Sequence, residues 1–319
     1  MNALEQLSKM TVIVADTGDI QSIKQFQPRD ATTNPSLLLA AARQPEYKDL
    51  VQKAIDTSGV TDRSSPAGLK AILENLSVVF ATEILKIVSG RVSVEVDASL
   101  SFDTQATIGY AKRLITRFEE QNISRERILI KIASTWEGIE AAKVLEKEGI
   151  HCNLTLLFNL GQAIACAEGG IKLISPFVGR IYDFYKAKQG VESFAPEEDP
   201  GVLSVQEIYN YYKKFGYETE VMGASFRTSG EIIELAGCDL LTIGPKFLEE
   251  MKNSDTVVEE KLSLEKALAR DGEKIVMDES TFRWMLNEDE MATAKLSEGI
   301  RRFNADWLKL ADYLQEEFL

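Results

Sequence analysis

A lysine stands alone among isoleucines in ILIKIAS, residues 128–134. In an extended chain Ile128, Ile130 and Ile132 share one face and leave Lys131 on the other. The same alternation in VSVEVDA sets Val92, Val94 and Val96 against Ser93, Glu95 and Asp97, and in CNLTLLF it sets Leu154, Leu156 and Phe158 against Asn153 and Thr155. Asp16, Thr32, Asn34, Ser175 and Ser225 fall on the polar side of their own runs. A lysine enclosed by apolar walls has its ammonium form disfavoured, which enlarges the neutral fraction able to attack a carbonyl. The imine formed draws electrons from the neighbouring carbon–carbon bond, so a ketose can be cleaved without a metal. Such cleavage needs an acid–base group for the hydroxyl proton, and Asp16, Glu95 and Asp97 are the candidates. The plainer alternatives are that Glu95 and Asp97 do no more than pair with Lys131, and that Asp16 caps the helix after TGD.

Holding these groups together requires several strands converging on one interior. Strand-like runs lie at 11–17, 31–36, 92–98, 128–134, 152–158, 173–179, 220–226 and 240–245, with helical patterns between them. Between 103 and 121, Ile108, Ala111, Ile115 and Phe118 share a helical face. Ser134 with Glu137 and Ser204 with Glu207 fit capping boxes, and Gly149 and Gly216 fit helix stops. Eight alternating units, with no glycine-rich dinucleotide turn after the first strand, predict a single (β/α)8 barrel of TIM type over residues 1–319. The inward polar residues are then expected at the C-terminal ends of the strands, where burial without partners is costly and a ligand would supply them. The stretch 186–203 reads as a surface excursion. Leu296, Ile300, Phe303, Trp307, Leu310 and Leu314 predict a C-terminal amphipathic helix over about 290–316, packed on the barrel or at a subunit interface.

Composition narrows the chemistry. Thirty-six Lys and Arg against fifty Asp and Glu give a net charge of −14, which repels nucleic acid but allows a few arginines to hold a phosphorylated small molecule. Cys152, Cys166 and Cys238 suit reduced, buried thiols. The single histidine, His151, reads as structural; with so few clustered ligands, metal-dependent aldol chemistry and histidine triads lose their basis. The N-terminal residues lack a signal-peptide pattern, and no apolar run approaches a membrane span, so a cytoplasmic protein without membrane attachment is expected.

The motifs ADTGD, DATTNPS, EVDA, ILIKIASTWEGI, NLTLLF, SPFVGR and GASFR occur in an order and spacing that resemble the bacterial-type transaldolases, in the class I Schiff-base aldolase superfamily, across essentially the whole chain. The resemblance implies a cofactor-free homodimer of the non-oxidative pentose phosphate pathway. Its reaction would move a dihydroxyacetone unit from sedoheptulose 7-phosphate to glyceraldehyde 3-phosphate, giving erythrose 4-phosphate and fructose 6-phosphate. It also implies roles: Lys131 as Schiff-base nucleophile, Asp16 as general acid–base, and Glu95 and Thr155 as holders of a proton-shuttling water. Asn34, Asn153 and Ser175 would bind the hydroxyls of the three-carbon unit, Arg180, Ser225 and Arg227 the phosphate, and Phe177 would line the pocket. A fructose 6-phosphate aldolase and a non-catalytic sugar-phosphate binding barrel are the competing readings.

Overall fold

The computed structural model describes residues 1–319. Its strands are β1 (Val12–Asp16), β2 (Asp30–Thr32), β3 (Val92–Glu95), β4 (Ile128–Ala133), β5 (Cys152–Leu157), β6 (Leu173–Pro176), β7 (Glu220–Gly223) and β8 (Leu240–Ile243). All pair in parallel in chain order, and β8 closes on β1. The expected eight-stranded barrel is therefore observed, each strand overlapping one expected run.

Alternation explains why these short segments become strands. Val92, Val94, Ile128, Ile130, Ile132, Leu154, Ile174, Val221, Leu241 and Ile243 point outward into one large core beneath the helices. Burying each such side chain is worth roughly 1.5–3 kcal/mol. The inward side chains form two unlike layers. Toward the N-terminal end Val14, Leu129, Leu173, Met222 and Leu240 make an apolar plug. One pleat further along follow the polar residues Asp16, Thr32, Lys131, Ser175 and Thr242. Below the plug, Arg91 reaches Asp30 at 3.0 Å and Glu220 at 2.8 Å, tying the starts of β2 and β7 across the barrel floor.

The alternation breaks in β5. Leu156 adopts φ 53, and the pairing of β5 with β6 shifts between Leu154 and Leu157. Leu157 thus takes the outward position expected of Leu156, while Leu156 and Phe158 turn into a separate apolar cluster at the barrel mouth with Phe177, Ile300 and Phe303. β3 ends at Glu95, and Asp97 caps a short 3-10 turn, so the expected inward face of VSVEVDA stops one pleat early.

The helices follow their face patterns with adjusted ends. Thr104–Glu119 buries Ile108, Ala111, Ile115 and Phe118 as expected. The cap of Trp136–Lys147 is Thr135, not Ser134; Ser134 Oγ instead donates to the Thr155 carbonyl at 2.7 Å. Ser204 lies inside the helix Pro200–Lys214, whose cap is Asp199, because a proline at the first helical position with an aspartate before it is a stronger start. The excursion is accordingly shorter, as 186–189 and 200–203 are helical. Gly149 and Gly216 stand at φ 74 and 69 just past their helices, as expected.

The C-terminal helix Glu290–Phe318 buries Leu296, Ile300, Phe303, Trp307, Leu310 and Leu314. It lies across the helix Pro35–Ala42, to which Ser36 Oγ–Asp306 and Tyr313 OH–Ala42 O hydrogen bonds fasten it. Gly299 permits its approach to the mouth, since a Cβ there would sit 2.6 Å from Leu156 and 3.1 Å from Arg180. No helix is long and apolar enough to cross a membrane.

Candidate active site

The polar layer opens at the C-terminal end of the barrel into a cavity of about 80 Å³. Asp16, Asn34, Lys131, Ser175, Phe177, Arg180 and Ser225 all line it. Larger hollows lie outside the barrel: one of about 410 Å³ beside the short helix Ala3–Leu7 and one of about 640 Å³ beside the helix Pro200–Lys214. Neither contains an inward-facing strand residue of the polar layer.

Lys131 sits midway along β4, paired in register with Glu95 of β3 and Asn153 of β5. Its Nζ is 3.4 Å from Glu95 Oε2 and donates to the Thr33 carbonyl at 3.3 Å. Both side chains are nearly sealed from solvent. Burial pushes the Glu95 carboxyl up from the ordinary range, against the opposing pull of Lys131 and Arg180. Beyond the long Lys131 contact Glu95 Oε2 accepts no hydrogen bond, and Thr155 Oγ1 makes none; a buried polar atom left so costs about a kilocalorie or more.

Asp16 closes β1 with its carboxylate on the cavity, so it keeps some accessible surface while protein encloses it on its other sides. Desolvation raises its proton affinity; Lys131, the Thr32 hydroxyl and Arg180 oppose that shift without cancelling it. Thr32 Oγ1 donates to Asp16 Oδ1 at 3.1 Å and lies 2.9 Å from Thr242 Oγ1. The helix after TGD is capped by Asp19. Asp16 is thus free of a capping role.

Asp97 does not join this group. Its carboxylate meets Lys70 Nζ at 2.9 Å on the outer side and is held below the usual range, desolvation being outweighed by Lys70 and Ser99. Only Glu95 and Asp16 remain as acid–base candidates beside Lys131.

The neutral polar residues form a relay around the lysine. Ser175 Oγ donates to Asn153 Oδ1 at 2.6 Å, and Asn153 Nδ2 donates to Ser93 Oγ at 3.0 Å. Asn153 is fully buried behind the cavity wall, so it fixes the Ser175 hydroxyl that lines it. Asn34 caps the helix Pro35–Ala42, its Oδ1 accepting from Leu37 N at 2.9 Å, which leaves the amide nitrogen as a donor.

Cations gather at the outer rim. Arg180 makes no ion pair; its guanidinium lies 4.8 Å from the Phe177 ring centre and 5.3 Å from that of Phe303. Burial and the nearby Arg302 push its pKa down to about 10. Ser225 adopts φ 63, a left-handed conformation that aims the β7 loop back at the cavity. Arg227 stands outside the cavity, with Nη2 2.7 Å from Asp183 Oδ2 and Nη1 3.4 Å from Ser225 Oγ. An arginine without a carboxylate and a second beside it suit an oxyanion with several acceptor oxygens.

Three lining residues, Ala224, Thr242 and Phe303, escaped the sequence reading as site residues, Ala224 because a small apolar side chain carries no chemical signal. Thr242 was legible, since alternation in LLTIGP sets Leu241 and Ile243 outward and Thr242 inward. Phe303 was visible only as one member of an amphipathic stripe, because nothing in the sequence says that its helix covers the mouth.

Comparison with known proteins adds to this geometry. Residues 13–314 match the model of the family described as transaldolase/fructose-6-phosphate aldolase. The chain is 59% identical over 307 residues to a transaldolase of Methylococcus capsulatus, covering 95% of this chain and 93% of that one. It is 56% identical over 321 residues to a transaldolase of Thermosynechococcus vestitus, with 99% and 81% covered, and 54% identical over 316 residues to that of Rattus norvegicus, with 99% and 94% covered. With the family matched over nearly its whole length and a buried lysine between two carboxyl groups at the heart of its barrel, the chain belongs to the transaldolase/fructose-6-phosphate aldolase family.

Proposed function

We propose that the chain is a transaldolase that transfers a dihydroxyacetone unit between sugar phosphates through a Schiff base on Lys131. The observation that carries the reading is the Lys131 amine enclosed with Glu95 at 3.4 Å and sharing its cavity with Asp16, two carboxyls that both hold their protons more tightly than usual. In this reaction the neutral amine adds to the C2 carbonyl of a ketose phosphate, and the carbinolamine loses water to give the imine. Asp16 takes the C4 hydroxyl proton as the C3–C4 bond breaks, and the bond electrons are held as an enamine. The released aldose is replaced by an acceptor aldehyde; the enamine adds to it while Asp16 returns the proton, and water releases the new ketose.

Glu95, whose Oε2 has only the long Lys131 contact, and Thr155, whose hydroxyl makes no hydrogen bond, would hold between them the water that carries protons to and from the carbinolamine. Asn34, Ser175 and, through Ser175, Asn153 would bind the hydroxyls of the three-carbon unit. Arg180, Ser225 and Arg227 would hold the phosphate, and Phe177 would keep water from the imine. The chain is read as one barrel domain with the C-terminal helix as its cover, acting as a cytoplasmic homodimer; sedimentation velocity checks the dimer.

Incubation with fructose 6-phosphate, borohydride reduction and peptide mass spectrometry test the chemistry. A dihydroxyacetone adduct on Lys131 is expected, with turnover that requires an acceptor aldehyde. An adduct with rapid release of free dihydroxyacetone would make the enzyme an aldolase, and no adduct from folded, substrate-bound protein would refute the imine.

A further inference from the structure

Behind the rim arginines lies a second pair of carboxyl groups that the reaction above does not use. Asp199 and Glu231 are each only 1% exposed, and neither forms an ion pair. Glu231 Oε2 accepts from the Arg227 backbone N–H at 2.6 Å and the Thr228 N–H at 3.3 Å, while Thr228 Oγ1 accepts from Glu231 N at 3.2 Å. Glu231 therefore grips the backbone of the residue that carries the outer guanidinium. Its other oxygen, Oε1, is buried with no donor of any kind. Asp199, the cap of the helix Pro200–Lys214, accepts from Gly201 N at 2.7 Å, and with Pro196 packed against Gly230 its buried carboxyl neighbours that of Glu231.

The segment bearing Asp199 is wedged between the two loops that carry the rim groups. A Cβ on Gly201 would sit 2.2 Å from the Val178 carbonyl, and one on Gly230 2.6 Å from Pro196. The two loops also touch each other, for a Cβ on Gly179 would lie 2.4 Å from the Ser225 carbonyl and 2.8 Å from Arg227. Gly201 and Gly179 thus lie close against backbone carbonyls and Gly230 against the Pro196 ring, approaches that leave little slack. Whatever joins Asp199 to Glu231 bears directly on where Ser225 and Arg227 stand.

Two carboxylates cannot both be ionised at such a contact in a buried site; the stable form shares one proton, which turns the repulsion into a hydrogen bond. We propose that Asp199 and Glu231 share a proton and act as positioning residues, clamping the segment before Pro200 to the β7 loop so that Ser225 and Arg227 are held for the phosphate of the substrate. The inference rests on the phosphate role read for Arg227. The surroundings reinforce the need for the proton: Asp183 from the helix Gly179–Gln189 adds negative potential at Asp199, the segment itself carries Glu197 and Glu198, and Glu250 of the helix Pro245–Lys252 accepts from Ser229 Oγ at 2.6 Å. The Arg227 guanidinium, which could offset them, is engaged by Asp183. Burial and the neighbouring Asp199 push Glu231 up to about 7, so the shared proton is lost within the physiological range.

The sign of the effect follows. Above about pH 7 the second charge appears, the carboxylates repel, and the loop loosens. The KM for a phosphorylated ketose rises with pH, while kcat changes little because neither residue touches the reacting atoms. Glu231→Gln retains an acceptor for the two backbone N–H groups and supplies a permanent donor to Asp199. It should keep wild-type KM at pH 6.5 and abolish the extra rise between pH 6.5 and 8.5; the difference between the two enzymes cancels the ionisation of the substrate itself.

Glu231→Ala should raise KM for fructose 6-phosphate about tenfold, a loss of about 1.4 kcal/mol, with non-phosphorylated fructose unaffected. Parallel pH profiles of wild type and Glu231→Gln would overturn the clamp. So would equal losses for phosphorylated and free sugar in Glu231→Ala. If that variant does not fold, the pH dependence of the melting temperature decides. Between about pH 5 and 7 the folded protein binds more protons at this pair than the unfolded chain, so wild type loses stability relative to Glu231→Gln as pH rises. A constant gap would refute the shared proton. Arg227→Ala separates the two levels: if it does not weaken phosphate recognition, the phosphate reading fails; if it does while the Glu231 variants show no pH effect, only the clamp fails.

Discussion

The two ends of the barrel interior are built from the same strands and treat charge in opposite ways. On the floor, Asp30 meets the Arg29 side chain at 3.0 Å and Arg91 through both side chain and backbone, Arg91 also meets Glu220, and desolvation of Asp30 is more than offset, so its carboxyl is held low. At the mouth, Glu95 and Asp16 have only Lys131 and the more distant Arg180 as cations, desolvation dominates, and both are held high. An apolar plug one side chain thick separates the two. The floor is arranged so that the fold gains from its charges. The mouth keeps charges that the fold would be more stable without, which is the signature of a site whose missing partners arrive with a ligand.

If the mouth serves chemistry and the floor stability, substitutions should divide cleanly. Lys131→Ala should cut turnover on the order of 10⁴-fold or more, as removal of a nucleophile does, while thermal unfolding stays cooperative. Residual turnover near the wild-type level in a folded variant would end the division. Asp16→Asn keeps the Thr32 contact geometry but cannot accept a proton, and kcat should fall about 10²- to 10⁴-fold with the Lys131 adduct still trapped by borohydride. Loss of the adduct along with turnover would mean that Asp16 acts before cleavage. Arg91→Met is the converse experiment. Glu220 loses its cation and Asp30 keeps only the more exposed Arg29, and stability should fall about 1.5–3 kcal/mol in denaturant titrations with kcat/KM of the folded enzyme unchanged.

Much of this layout was legible in the sequence because period-two alternation is a strong signal when β-branched residues mark one face. Lys131 between Ile130 and Ile132 announces its own orientation, and so do Glu95, Asn153 and Ser175. What alternation cannot register is its own interruption. Leu156 takes a left-handed conformation with no glycine to advertise it, so the outward residue is Leu157 and the mouth acquires Leu156 and Phe158. Asp97 was carried one pleat too far for the related reason that the end of a strand is set by its neighbours, here the 3-10 turn it caps. The pairing of Asp199 with Glu231 brings together residues thirty-two apart through the packing of Pro196 on Gly230, and no local pattern encodes it. Family motifs supplied the roles of Arg180 and Arg227, which composition alone had reduced to a need for some cation near the site.

The finest test of the contrast between floor and mouth is one of sign. Asp30 has a lowered folded-state affinity for its proton, so its contribution to stability is present above its unfolded pKa and disappears as pH falls through the folded one. Asp30→Asn should therefore lie furthest below wild type at neutral pH, and the gap should close on acidification below about pH 4. Glu95 is shifted the other way, so the folded protein binds more protons than the unfolded chain just above the ordinary carboxylate range, and wild type loses stability there as pH rises. Loss of the Lys131 contact in Glu95→Gln displaces its whole curve by an offset, but the slope of the difference belongs to the titration. From about pH 5 upward Glu95→Gln should gain on wild type while Asp30→Asn does not. Melting temperatures of the three proteins across pH 3–8 measure both slopes, and slopes of the same sign would show that the two ends of the barrel do not treat charge differently after all.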